Sequence, residues 1–207
     1  MEDPRAATDG RVRRGDETRR TVLRRAVDVA SVGGLDGVTI GRLAQELSIS
    51  KSGLFAHFGS KEELQLATID TANSIFDELV LEPAANAAPG IDRLRALLDA
   101  YLRYVESGTF PGGCFFATVL VEVSMQPGAV RDRLATFMED WLGRLESTIR
   151  DAQQEGDIDK AENPAQLAFE LESSLFLANS QFAVVQSHEP IERGRRAIER
   201  RLAEAAA

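Results

Sequence analysis

The chain has 207 residues, 43% hydrophobic and 28% charged, which fits a folded globular protein of one or two domains and not a disordered one. Its one cysteine, Cys114, excludes an internal disulfide; no stretch approaches the roughly 20 apolar residues of a membrane span and no secretory signal opens the sequence, so a soluble cytoplasmic protein is expected. The net charge of −9 argues at first against nucleic acid, yet residues 11–60 carry nine basic and five acidic side chains while residues 61–207 carry fourteen and twenty-five, which is the split expected of a DNA-binding head on a body that avoids DNA.

Residues 1–15 mix Pro4, Gly10, Gly15 and charges without periodicity and read as a flexible arm, its Arg11, Arg13 and Arg14 either solvated or reaching a phosphate. Helical periodicity starts at Asp16, where Val22, Leu23, Ala26, Val27 and Ala30 form one stripe, and stops at Gly33, Gly34 and Gly37. Thr39 is placed to cap a short helix over 39–47, and Ser50 to cap a second one ending near Phe58. Ser60 with Glu63 is a capping-box pattern for a helix to about Leu81, with Pro83, Pro89 and Gly90 marking a break after it. Further helices are predicted around 94–105, 129–155, 163–187 and 190–204. Cys114 to Val123 suits a strand by propensity, but its helical surroundings favour a buried helix. The expected fold is therefore all-α, with nine or ten helices.

Two short helices joined by a tight turn, each too short to stand alone, are a helix-turn-helix pattern. In the second, Leu54 and Phe58 lie four apart and face inward, which leaves Lys51, Ser52 and Phe55 outward, where a recognition helix meets the major groove. Thr39 and Lys61, at helix N-termini, suit phosphate contacts.

The run GVTIGRLAQELSISKSGLFAHFGSKEEL at 37–64 resembles the N-terminal signature of the tetracycline-repressor (TetR) family. Thr39, Leu43, Ala44, Ser50, Leu54, His57, Phe58, Lys61 and Glu62 stand where the family pattern has its marked residues. The resemblance implies that Thr39, Ser50, Lys51, Ser52, Phe55, His57 and Lys61 contact DNA, with Gly53 admitting a close backbone approach and Arg42 as a further candidate. Two positions depart from the pattern: Phe55 replaces the usual Tyr, and Ser48 the usual turn glycine. The resemblance also implies a division into the arm, a DNA-binding domain over 16–62 and a ligand-binding and dimerisation domain over 63–207. Residues 163–204 would pair with a second copy, and the homodimer would bind a near-palindromic operator as a repressor released by a small-molecule effector.

Tyr101, Cys114, Phe115, Glu122, Phe137, Trp141 and Phe176 are the expected effector-facing residues, although aromatics at helical spacing also serve as core. Glu122 stands inside an apolar run, where it suits either a polar ligand or an ion pair. Cys114, following Gly112 and Gly113 at a helix start, is either a reactive thiol or a small buried hydrophobe. Neither His57 nor His188 belongs to a metal-binding pattern, and no cofactor loop or catalytic constellation is present in the sequence, so no enzyme is expected. The competing reading is a helical-bundle ligand carrier or enzyme with a vestigial DNA-binding head.

Overall fold

The computed structural model describes residues 4–123 and 127–207, with side chains from Gly15 onward. Its helices are α1 (Pro4–Gly33), α2 (Ile40–Glu46), α3 (Lys51–Phe58), α4 (Lys61–Phe76), α5 (Glu82–Ala85), α6 (Ile91–Glu106), α7 (Phe115–Val123), α8 (Ala129–Glu155), α9 (Pro164–Val185) and α10 (Glu189–Glu204). No strand occurs among the described residues, only an isolated bridge between Ile158 and Ala206. Propensity in the β-rich α7 segment thus gives way to packing, since its Phe115, Phe116 and Val119 are buried among helices.

Three caps act at the positions expected of them. The side-chain oxygens of Thr39, Ser50 and Ser60 accept from the N–H groups of Arg42, Gly53 and Glu63, satisfying donors that each new helix leaves free. Asn163 caps α9 in the same way ahead of Pro164.

The structure departs from the sequence reading at two places. The segment expected to be a flexible arm over 1–15 is helical from Pro4, as part of α1, while residues 1–3 lie outside the described residues. Pro4 suits a first helical turn, and Gly10 and Gly15 lower helix propensity without breaking it. The chain also does not break at Pro83. After Phe76 the α4 rod widens into a π-helical turn, Asp77–Leu81, in which the Glu82 N–H donates to the Asp77 carbonyl, and it continues as α5. Pro83 lacks the N–H that would close an ordinary turn, and the wider register lets it enter as the start of a new helical segment.

Residues 20–30 of α1 pack with α2, α3 and the first turns of α4 around Val22, Leu43, Leu54, Phe58 and Leu64. Beyond that, α4 lies against α8, and α6 runs through the centre with Leu94, Leu98, Tyr101, Leu102 and Val105 buried. The sequence boundary at 62/63 therefore falls inside one continuous rod. Helices α9 and α10 pack on each other at the far side, tied by the Arg201–Glu170 ion pair. Phe169, Phe176, Leu177, Val184 and Val185 remain exposed there in the single chain.

Candidate nucleic-acid interface and ligand cavity

In α3 the apolar pair is fully inward, Leu54 at 0% and Phe58 at 3% exposure, and Phe55 is 57% exposed on the opposite side beside exposed Lys51 and Ser52. A large aromatic left more than half exposed to water is costly, and here it stands on the outer face of a recognition helix. The other candidates divide by what already occupies them. Ser50 Oγ is engaged in the cap, and a Cβ at Gly53 would stand 2.9 Å from it, so the glycine serves the cap directly. Lys61 pairs with Asp36 at 2.9 Å and Arg42 with Glu46 at 2.8 Å, both pairs exposed and hence readily exchanged for phosphate. His57 is half-buried, with its carbonyl accepting from Arg19 and its ring near Gly15 of α1.

Glu122 lies apart from Tyr101, Cys114, Phe137, Trp141 and Phe176, beside a separate hollow of about 180 Å³ that it lines with Leu35, Asp36, Gln65 and Arg131. Its carboxylate accepts from the backbone N–H groups of Leu35 (2.6 Å) and Asp36 (2.9 Å), at the start of the 3-10 turn Leu35–Gly37 that links α1 to α2. The reason is the bare positive end of that turn, which attracts the carboxylate, and Gly34, where any Cβ would overlap it. Thr118 Oγ1, on the same side of α7, donates to the Ser31 carbonyl, and the Gly112 N–H to Ser31 Oγ. Helix α7 is thereby latched to the base of the head.

The opposite side of α7 bears Phe116, Ala117 and Leu120. With Phe76, Tyr101, Cys114, Phe137, Met138, Trp141, Glu172 and Phe176 they line a small cavity of about 20 Å³. Phe76 is its hub, meeting Tyr101, Tyr104, Phe116, Phe137 and Trp141 edge-on at 5.2–6.2 Å. Of the expected effector-facing residues, Tyr101, Cys114, Phe137, Trp141 and Phe176 meet here. Phe115 does not, because it packs against Phe116 in the core.

Inside this cavity the Trp141 Nε1–H donates to Glu172 Oε2 at 2.7 Å. Part of Glu172 stays exposed in the single chain, but the dense apolar packing around its carboxyl dominates and pushes its pKa up to about 7 against the pull of that bond. Burial likewise pushes the Cys114 thiol up, opposite to the direction a reactive thiolate requires. The Cys114 N–H is taken by Asn179 Oδ1, so the residue behaves as the small buried hydrophobe.

Phe76, Phe137 and Trp141 also form one wall of an open cleft of about 690 Å³ between α4–α5, α6 and α8. Its charged lining comprises Asp77, Arg93, Asp140, Arg144 and Asp151. Burial raises the Asp77 pKa, opposed by Arg144, and Arg93 Nε is buried without a partner. Among the described residues no group of three His, Cys, Asp or Glu side chains is arranged to hold a metal ion, and no helix is long and apolar enough to cross a membrane.

Residues 22–68 match the family model described as "Bacterial regulatory proteins, tetR family", and residues 90–198 that of the "Tetracyclin repressor-like, C-terminal domain". The chain belongs to the TetR family of transcriptional regulators. It is 29% identical over 155 residues to the HTH-type transcriptional regulator TcmR of Streptomyces glaucescens, a match covering 72% of this chain and 66% of TcmR, just under two thirds of that protein. A TetR transcriptional regulator from Chloroflexus aurantiacus shares the fold at a TM-score of 0.86 and 23% identity, over 94% of this chain and 98% of that one. AibR, solved in complex with isovaleryl coenzyme A and operator DNA, shares it at 0.70 and 20% identity, over 87% and 96%.

Against the TetR-family pattern, the serine at position 48 shows its cost in the backbone: Ser48 takes a φ of 55°, the left-handed conformation that glycine adopts freely. The charged cleft residues Asp77, Arg93, Asp140, Arg144 and Asp151, and Glu172, are absent from the sequence-based set. Glu172 carried a detectable signal, because Ala168, Glu172, Leu175 and Asn179 follow one helical stripe in which two polar side chains interrupt an apolar face.

Proposed function

We propose that this TetR-family regulator is a cytoplasmic homodimeric repressor that holds a near-palindromic operator and is released when a small molecule occupies its body. The carrying observation is the outward face of α3, where Lys51, Ser52 and Phe55 stand exposed on a helix whose other side is locked into the core by Leu54 and Phe58. Lysine and serine hydrogen-bond base edges or phosphates, and Phe55, lacking the family's phenol hydroxyl, packs on a sugar or a thymine methyl. Thr39 and Lys61 hold flanking phosphates, the latter by exchanging Asp36 for the nucleic acid. The exposed apolar side chains of α9 bury against a second copy, which brings two α3 helices to half-sites roughly 34–36 Å apart. AibR, which shares this fold, binds both a small molecule, isovaleryl coenzyme A, and operator DNA.

Release runs through α7 and the α4 rod, because each borders the ligand space at one place and the head at another. A ligand that displaces Phe137 shifts Phe116, stacked on it, and with Phe116 the helix carrying Glu122 and its hold on Leu35 and Asp36. Such a ligand must prefer the displaced arrangement, since equal affinity for both shifts nothing.

The test is fluorescence anisotropy with duplex from the region upstream of the protein's own reading frame, at several salt concentrations. Sequence-selective binding that drops about tenfold or more in a Lys51→Ala, Ser52→Ala double variant is expected. Equal binding of unrelated duplex, unaffected by those substitutions, contradicts the reading.

A further inference from the structure

The buried polar groups of the body fall into two kinds. Asn179 and Thr148 have their hydrogen bonds met within the fold. Glu172 accepts one bond, from the Trp141 indole, and among the described residues no cation is paired with it. Around it stand the faces and edges of Tyr101, Phe116, Phe137, Trp141 and Phe76, with Phe176 on its own helix. Aromatic faces present negative charge density, and the Glu172 carboxyl among them adds negative charge once it ionises, which a cation seated beside it favours and an anion opposes, so the cavity suits a positive group.

We propose that the effector recognised by this cavity is an organic cation, an alkylated ammonium whose charged head seats against Glu172 within the aromatic ring set and whose remainder lies in the adjoining cleft. The inference rests on the reading of the protein as a ligand-released regulator. The space now available at Glu172, about 20 Å³, does not hold such a head, whereas the cleft on the far side of Phe137 and Trp141 offers about 690 Å³. The walls differ in their freedom to move. Phe76, Tyr101 and Phe116 are at most 3% exposed, while Phe137 and Met138 on α8 are half-buried. Rotation of Phe137 off Phe116 joins the two spaces, lets the cationic head replace the lost ring contact, and supplies Glu172 with its missing counter-charge. The cleft lining, three aspartates against two arginines, leaves the entrance with a slight negative balance.

Trp141 is the only tryptophan in the chain, so its fluorescence reports on this site alone. The probes are phenyltrimethylammonium and tert-butylbenzene, equal in shape and differing in charge, with benzoate as the anion, titrated against the full-length protein and checked by calorimetry. The cation is expected to bind about tenfold or more tightly than its neutral isostere, with benzoate weakest. Glu172→Gln is expected to abolish that preference while leaving the circular dichroism spectrum and ligand-free binding of the upstream duplex unchanged. If that variant does not fold, the cation and isostere comparison on the unaltered protein decides. Equal or tighter binding of tert-butylbenzene or benzoate, absence of cation binding at millimolar concentration, or a preference that survives in a folded Glu172→Gln protein overturns the proposal. Upstream duplex binding is read in the same samples, so a protein that binds DNA but prefers the neutral probe fails this proposal alone. One that prefers the cation but ignores DNA fails the regulator reading instead.

Discussion

The head and the body treat their polar groups in opposite ways. In the head, serine and threonine hydroxyls close helix ends, Glu122 satisfies two backbone donors, and the ion pairs lie at the surface where exchange for phosphate is cheap. In the body, a carboxylate sits among aromatic rings with a single bond, and a guanidinium nitrogen of Arg93 is buried with none. The helix ends of the head are thus capped before they meet DNA, although Asp28 Oδ1 on α1 is buried without a hydrogen bond, whereas the body keeps polar capacity beside its cavity and cleft that a ligand can use. The latch at Glu122 is where the head depends on the body.

Phe76 gives the sharpest test of that division, because it closes the aromatic set and walls the cleft at once. Phe76→Ala is expected to cost about 3–5 kcal/mol in urea unfolding, the loss for a large buried ring at a site that cannot collapse. A loss below 1 kcal/mol would mean that the body is already loose around it.

The pH dependence tests the buried charge. Below 4.5 the Glu172 carboxyl is protonated in both folded and unfolded chains, while between 4.5 and about 7 only the folded one keeps its proton. Stability from this group is therefore full at low pH and is lost as pH rises through about 7, by at most about 1.4 kcal/mol per unit. Glu172→Gln should flatten that slope, making the variant more stable than the parent at pH 8 and no more stable at pH 4.5. Parallel pH profiles for the two proteins would show that the carboxyl is solvated.

Cutting the latch should matter less to stability and more to coupling. Glu122→Ala strands the Leu35 and Asp36 N–H groups and is expected to lower stability by about 1–3 kcal/mol and to weaken operator binding without touching the α3 face. Unchanged DNA affinity would remove Glu122 from the route between ligand space and head. The smallest effect belongs to the turn: Ser48→Gly should raise stability by about 1 kcal/mol with DNA selectivity kept, since it relieves a left-handed residue without removing a contact.

The helix-turn-helix was legible because its determinants are local. Thr39, Ser50 and Ser60 cap within three residues of themselves, and the spacing of Leu54 and Phe58 alone separates core from reading face. The helix order of the body was legible from periodicity, as were the aromatic walls Tyr101, Phe137, Trp141 and Phe176 of its cavity, but the polar groups beside them were not. Glu122 stands in an apolar run that suits either a polar ligand or an ion pair, while its hydrogen-bond partners, the N–H groups of Leu35 and Asp36, lie 87 and 86 positions away at a 3-10 turn. The helical course through Pro83 depends on a π turn that no residue type announces. The cleft joins Asp77, Arg93 and Arg144 from three helices, where each reads singly as solvated surface charge.

The claim at the centre of this account, that body and head share one equilibrium through α7, is testable without knowing the effector, because coupling between two sites is reciprocal. Amide hydrogen exchange of the protein, free and bound to its upstream duplex, is the direct measurement. Protection is predicted to rise at residues 31–36 and along α7 at 115–123, away from the DNA-reading helix, with α10 unchanged. A change confined to residues 39–61 would contradict it.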